Sequence, residues 1–213
     1  MRLKDRRNIA DLMLEAFGRA FPEASCSLDQ DAPERLAVRG ILSAQCTDVR
    51  VNIVSKELFE KYPTMAAIDE APEKDIMDII RPCGLYKAKA ASIKAFAHLY
   101  EGQWGREVPR DTDSLMKCPG VGKKIANLIV GEVYGIPAVV VDTHCKRVMY
   151  RTGITDSKDP LAVEKDIMKV FPEDSWISLG HEAVELGRTY CRARAPLCGE
   201  CPLSSFCARR TGD

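Results

Sequence analysis

Neither charge predominates in this chain: its 213 residues carry 31 Lys and Arg against 31 Asp and Glu. The balance excludes a uniformly basic coat. Taken as a whole it also argues against a nucleic-acid partner, since such proteins usually carry a basic excess. That argument holds only if the charge is spread evenly along the chain. Long hydrophobic runs are absent too. The longest uninterrupted apolar stretch, Ile136 to Val141, falls far short of the roughly 18 residues that a membrane helix needs. The charged start, Met1-Arg2-Leu3-Lys4-Asp5-Arg6-Arg7, leads into an amphipathic pattern and not into a signal-peptide block, so a cytoplasmic location is expected. Alternating strand patterns are nearly missing. Ala138-Val139-Val140-Val141 is the one β-branched run, too short and isolated to seed a sheet. No repeat and no low-complexity segment occurs.

What is present is helical periodicity. Ile9, Leu12, Met13, Ala16, Phe17 and Ala20 share one face over 6–21, and Pro22 stops the run. The same spacing predicts helices from Pro33 towards Ala44, over 48–62, after Pro72, and over 87–101, 112–117, 123–134, 143–151, 161–170 and 176–190. The fold class is therefore all-α, with about ten helices joined by short loops. The length suits one large domain or two small lobes, and Gly135-Ile136-Pro137 marks a boundary.

Nine cysteines is an odd number, and four crowd the last 23 positions, which fits a reducing interior with a metal site better than a disulfide scaffold. Cys191, Cys198, Cys201 and Cys207 give C-x6-C-x2-C-x5-C, a spacing that lets four thiolates converge on a zinc ion or an iron–sulfur cluster. Spacing alone does not choose between them. Cys198-Gly199-Glu200-Cys201 reads as a knuckle in which Gly199 supplies backbone freedom, and Pro196 and Pro202 stiffen the loop. Cys26, Cys46, Cys83, Cys118 and Cys145 show no paired spacing and read as small core residues.

Leu115 to Ala126 reads helix, tight turn, helix, with Cys118-Pro119-Gly120-Val121-Gly122 as the turn. Two glycines let the backbone approach a ligand closely, and the second helix offers unpaired N–H groups at its positive end. Such a hairpin grips a phosphodiester without reading sequence. It is not a nucleotide P-loop, because the G-x4-G-K-[ST] order is missing. Lys124 lies in the first turn of that second helix, where the dipole disfavours a cation. Held there and partly desolvated, it would have a lowered pKa and supply a neutral amine that attacks carbon. Eighteen residues on, Val141-Asp142-Thr143-His144 precedes another helix, and Asp142 is its expected N-cap. A capping carboxylate is fixed in place and is able to orient a water or stabilise a cationic sugar. His144 reads as a supporting or core histidine.

Hairpin, lysine, Val-Asp-Thr-His and cysteine loop occur together and in this order, and that combination resembles the endonuclease III branch of the helix-hairpin-helix DNA glycosylases. Leu42-Ser43-Ala44-Gln45-Cys46-Thr47-Asp48 is similar to that family's Leu-Ser-Ala-Gln-x-Thr-Asp stretch, and Gly84-Leu85-Tyr86 with Lys89-Ala90 to its Gly-Leu-Tyr-x-x-Lys-Ala run. The resemblance spans about 30–207. It implies a two-lobed fold: a six-helix barrel lobe over 23–135, with the hairpin at about 112–131, and a cluster lobe of 1–22 plus 136–213 holding a [4Fe–4S] cluster in loop 191–207. It implies a bifunctional enzyme acting on damaged double-stranded DNA. Lys124 would attack C1′ of a flipped-out oxidised pyrimidine nucleotide, form a Schiff base and cut the strand by β-elimination, with Asp142 supporting departure of the base. Gln45 and Leu85 would fill the gap in the duplex. Further DNA contacts are expected from Thr47, Asp48, Gly120, Val121, Gly122, Lys123, Arg147, Arg192 and Arg194. A monomer, no membrane association and no small-molecule cofactor beyond the cluster are expected as well.

Two departures stand out: Ile125 where the family usually carries Thr, and Arg39-Gly40 where an apolar helix interior is usual. The rival readings are weaker. An adenine-mismatch glycosylase would need Glu near Ile41, no lysine at 124 and an extra C-terminal domain; a thymine-mismatch glycosylase normally has no lysine at 124. A non-catalytic, zinc-bound DNA clamp leaves Lys124 and Asp142 without a purpose. Counted by segment, the neutral total separates into opposed parts: +4 over 117–151, +4 over 188–210 and +3 over 87–94, against −4 over 68–78 and −3 over 22–35. The basic segments are expected to line one DNA-facing cleft.

Overall fold

The computed structural model describes residues 1–208, so Arg209 and Arg210 in the basic count over 188–210 lie outside it. The described residues are helical and contain no strand. The elements are α1 (Leu3–Ala20), α2 (Pro33–Leu42), α3 (Asp48–Lys61), α4 (Met65–Glu70), α5 (Glu73–Ile80), α6 (Tyr86–Gly102), α7 (Thr112–Leu115), α8 (Lys123–Tyr134), α9 (Thr143–Thr152), α10 (Pro160–Val170) and α11 (Trp176–Thr189). Local chemistry sets several ends. Thr64, Asp142 and Asp159 accept first-turn backbone N–H groups, and Gly135 and Gly153 close α8 and α9 at φ 63° and 90°. Helix α4 has no counterpart in the sequence expectation. It is six residues long and buries only Met65 and Ile68, too few positions for a period to register. No described helix is long and apolar enough to cross a membrane.

The chain divides into two compact units. Residues Cys26–Ile136 form one of them, with α2 to α8 packed round Leu36, Leu42, Leu58, Ile68, Ile76, Ile80, Ile93, Phe96, Leu115 and Ile129. Here the two sequence departures meet in space. A Cβ at Gly40 would stand 2.9 Å from Cγ2 of Ile125, so the bare backbone of α2 makes room for the β-branch on α8. Arg39 is buried beside it and satisfied: it donates to Ser55 Oγ at 3.0 Å and the Asp29 carbonyl at 2.7 Å, pairs with Asp31, and lies over the Phe59 ring. Its pull holds the Asp31 carboxyl down at about 2.

Gly40→Ala should therefore cost about 1–2 kcal/mol through overpacking. In an Ile125→Ala background the same change should turn favourable by up to about 1 kcal/mol, because the helix-propensity gain is then unopposed. Denaturant melts of the four proteins decide it; an equal cost in both backgrounds would refute the pairing.

Two lysines of the basic segment 87–94 face inward. Lys89 is 4% exposed and donates to the carbonyls of Leu42 and Cys83, both at 2.8 Å, tying the end of α2 to the 3-10 turn Arg81–Cys83. Lys94 caps the end of α4 through the carbonyls of Ile68, Asp69 and Ala71. Neither is a cation on offer to a ligand, which corrects the expectation that this segment lines a DNA-facing surface.

The second unit joins Met1–Ser25 to the chain from Pro137. Met13 and Phe17 of α1, Val148 and Met149 of α9, Val163 and Ile167 of α10, and Leu179, Ala183 and Leu186 of α11 share one core. Leu203, from the cysteine loop, is buried in the same core, and Phe206 packs on it, so the loop is fastened at its own centre.

Candidate functional site

In the first unit, α7 leads into a turn closed by Cys118 N–H to the Leu115 carbonyl and Val121 N–H to the Cys118 carbonyl, both 3.1 Å. Gly120 is required twice. Its φ is +83°, and a Cβ there would sit 2.3 Å from Ser92 Oγ and 2.7 Å from Ser92 Cβ on α6. Gly122 is the N-cap of α8 and has no side chain to cover the first-turn amides, which are therefore left for a ligand. Val121 is buried, so only its backbone is available to a partner. Lys123 donates to Thr112 Oγ1 at 3.3 Å, bracing the hairpin. Lys124, next in the same turn, is exposed. The desolvation expected of it is not supplied by the unit that carries it.

Two loops of the same unit present strained residues. Gln45 and Leu85 are non-glycine residues in the left-handed region, at φ 53° and 49°. Gln45 is exposed and Leu85 is 55% exposed. A left-handed leucine costs about 1–2 kcal/mol and gains nothing from packing when it points to solvent. The strain therefore marks a position kept for contact. Thr47 is exposed at the N-cap of α3, with no side-chain capping bond, and Asp48 begins that helix.

In the second unit, Asp142 caps α9 by accepting Cys145 N–H at 2.7 Å, which holds its carboxylate still. His144 is half-buried against α11, where a Cβ on Gly187 would meet its Nδ1 at 2.6 Å. Arg147 lies within 3.2 Å of that Nδ1 and donates to the carbonyls of Cys191 at 2.7 Å and Gly187 at 2.9 Å. Its guanidinium thus holds the start of the cysteine loop. Arg151, 5% exposed, does the same further along, donating to the carbonyls of Arg192 at 2.7 Å and Ala193 at 3.2 Å. Arg192 and Arg194 themselves are exposed.

Cys191, Cys198, Cys201 and Cys207 line one cavity together with Arg151, Tyr190, Pro196 and Ser204. Burial pushes the Cys201 thiol up, and the other three thiols act on it in the same direction. Arg151 Nη1 lies 3.6 Å from Cys191 Sγ, placing a cation beside the donor set. A single tetrahedral zinc would draw the sulfurs to about 3.8 Å from one another. Here the thiols ring a space, and among the described residues no three His, Cys, Asp or Glu gather tightly enough for one ion. The donor set fits a multi-iron cluster, in which each thiolate holds its own metal atom. Gly199 is not the special residue of this loop. Its φ is ordinary, and the left-handed position is Ala195, at φ 48°.

Sequence comparison agrees with the geometry. Residues 38–173 match the model of the HhH-GPD superfamily of base excision DNA repair proteins, and 191–207 match the iron–sulfur binding domain of endonuclease III. Endonuclease III of Bacillus subtilis is 42% identical over 198 residues, covering 92% of this chain and 90% of that protein. The Escherichia coli K12 enzyme is 35% identical over 186 residues, with 87% and 88% covered. A solved endonuclease III trapped as a covalent intermediate with DNA superposes with a TM-score of 0.91 at 40% identity, over 97% of this chain and 96% of that one. A thermostable thymine-DNA glycosylase shares the fold, with a TM-score of 0.81 at 22% identity.

Proposed function

The chain belongs to the endonuclease III family of base excision DNA repair proteins, and we propose that Lys124 is the nucleophile through which it works. It is a DNA glycosylase and abasic-site lyase with a [4Fe–4S] cluster. One observation carries the assignment: an exposed lysine in the first turn of α8, directly behind a glycine hairpin whose shape Ser92 enforces.

The amides at the start of α8 and the backbone of Gly120 to Gly122 bind a phosphate of damaged double-stranded DNA. The target nucleotide is extruded, because its C1′ is out of reach inside the stack. Gln45 and Leu85 occupy the gap that it leaves. The DNA covers Lys124, which stands exposed in the free chain, and excludes water from the reacting amine. The Nζ lone pair forms a bond to C1′ as the oxidised pyrimidine departs with the C1′–N bond electrons. The nitrogen loses a proton and the sugar ring opens, O4′ taking up a proton as the C1′–O4′ bond breaks, to give the Schiff base. This acidifies C2′, and loss of that proton expels the 3′ phosphate. Asp142, held rigid by its cap, stabilises positive charge on the sugar during base departure. Cys191, Cys198, Cys201 and Cys207 would hold the cluster, and their four thiolates would thereby tie down the loop presenting Arg192 and Arg194. Residues Cys26–Ile136 act as the hairpin lobe and the rest as the cluster lobe, in a monomer of the cytoplasm.

A duplex with one thymine glycol tests this reading. Base release coupled to cleavage on the 3′ side of the lesion is expected; release without cleavage would remove the lyase. The purified protein should be brown with broad visible absorbance, whereas a colourless four-thiolate protein would hold zinc. Neutralising Arg192 or Arg194 should weaken binding and lower the salt slope by about 1. An unchanged slope would take these arginines off the DNA.

A further inference from the structure

Two of the cysteines without sequence pairing meet in space. The side chains of Cys46 and Cys83, 37 positions apart, lie close enough to act on one another, where α3 packs on the Arg81–Cys83 turn and Lys89 Nζ bridges the Leu42 and Cys83 carbonyls at 2.8 Å each. Cys46 is half-exposed and Cys83 is 2% exposed. Cys46 directly follows Gln45, and Cys83 is separated from Leu85 only by Gly84, so the pair joins the two loops whose strained residues face solvent. The buried ammonium of Lys89 sits in electrostatic range of both sulfurs and binds the Cys83 carbonyl. A cation beside a close thiol pair is the environment that stabilises an attacking or leaving thiolate.

We propose that Cys46 and Cys83 are a redox-active dithiol that forms an intrachain disulfide on meeting a low-molecular-weight disulfide such as glutathione disulfide, locking the Gln45 and Leu85 loops together. Cys46, the accessible partner, attacks one sulfur of the oxidant as thiolate and expels one small thiolate. The sulfur of Cys83 then displaces the second small thiolate from the mixed disulfide. The pair loses two electrons, the oxidant gains them, and the two thiol protons end on the two released thiols. Burial holds the Cys83 thiol up at about 11, with Cys46 adding to the effect, so the first step falls to the accessible Cys46. In the second step Cys83 passes its proton to the departing small thiolate, with the Lys89 ammonium beside it favouring the attacking thiolate. The bond closes a loop of nearly forty residues containing α3, α4 and α5. It also removes the freedom of two loops that, on the reading above, must enter DNA together; that consequence rests on the reading, while the disulfide does not.

The cluster-bearing protein is incubated with glutathione disulfide, alkylated and digested with trypsin. Peptides 40–50 and 75–87 are expected as one disulfide-linked species, abolished by dithiothreitol and absent from Cys46→Ser. A glutathione adduct persisting on Cys46 with Cys83 alkylated would overturn the proposal, as would two unmodified peptides. Cys83→Ala, in which Cys46 keeps only the mixed disulfide, provides a second control. In parallel, affinity for abasic-analogue DNA should fall several-fold on oxidation and recover on reduction, with Cys46→Ser insensitive. A linked species that binds DNA unchanged would establish the disulfide and remove Gln45 and Leu85 from the gap-filling role.

Discussion

Lys124→Ala should lower strand cleavage by at least about 10³-fold while leaving the protein folded and able to bind DNA. The two halves of that expectation have separate causes. The amine forms the bond to C1′, and no neighbouring group replaces it: Lys123 is turned to Thr112, and Lys89 is buried under carbonyls on the far side of α6 from solvent. Folding, by contrast, gains from the change. The side chain is exposed, alanine is a better helix former, and a cation leaves the positive end of α8. A melting temperature equal to or slightly above that of the parent, with unaltered affinity for lesion DNA, would isolate the chemical step. Comparable cleavage by the variant would move the nucleophile elsewhere.

Gly120→Ala is the second large effect, and it acts through structure. Alanine at φ +83° costs about 1–2 kcal/mol in backbone strain, and its Cβ would overlap Ser92 at distances that real contacts do not show. The overlap reaches Ser92 Cβ as well as Oγ, so rotating the hydroxyl away does not relieve it, and overpacking adds about 1–3 kcal/mol. The hairpin should shift, lose the phosphate-facing amides and weaken DNA binding along with stability. Ser92→Gly in the same chain should recover the steric part and not the strain. Full recovery would place the whole cost in the contact, and no loss at all in the single variant would refute the required shape of the hairpin.

Periodicity located the long helices to within about three residues, because each buries a continuous apolar stripe. It missed α4, whose two buried residues carry no period. The chemistry-bearing positions were legible where they are local in sequence: the cysteine spacing, the capping Asp142 and the glycine turn before Lys124. What sequence did not disclose is direction. Lys89, Lys94, Arg147 and Arg151 add to a basic count, yet each turns inward to carbonyl oxygens that helix ends and loops leave unpaired. Pairings across distant segments were equally hidden. Gly40 and Ile125 read as two separate departures and prove to be in contact. Cys46 and Cys83 read as unrelated core thiols and prove to be neighbours.

Borohydride trapping on abasic-site DNA bears most directly on the reaction assigned to this chain. Reduction of the Schiff base leaves a stable secondary amine, and peptide mapping of the adduct identifies the nitrogen that formed it. The expected result is one covalent protein–DNA species with the sugar remnant on Lys124, lost in Lys124→Ala. An adduct on any other residue, or none from an active and cluster-bearing preparation, would contradict it.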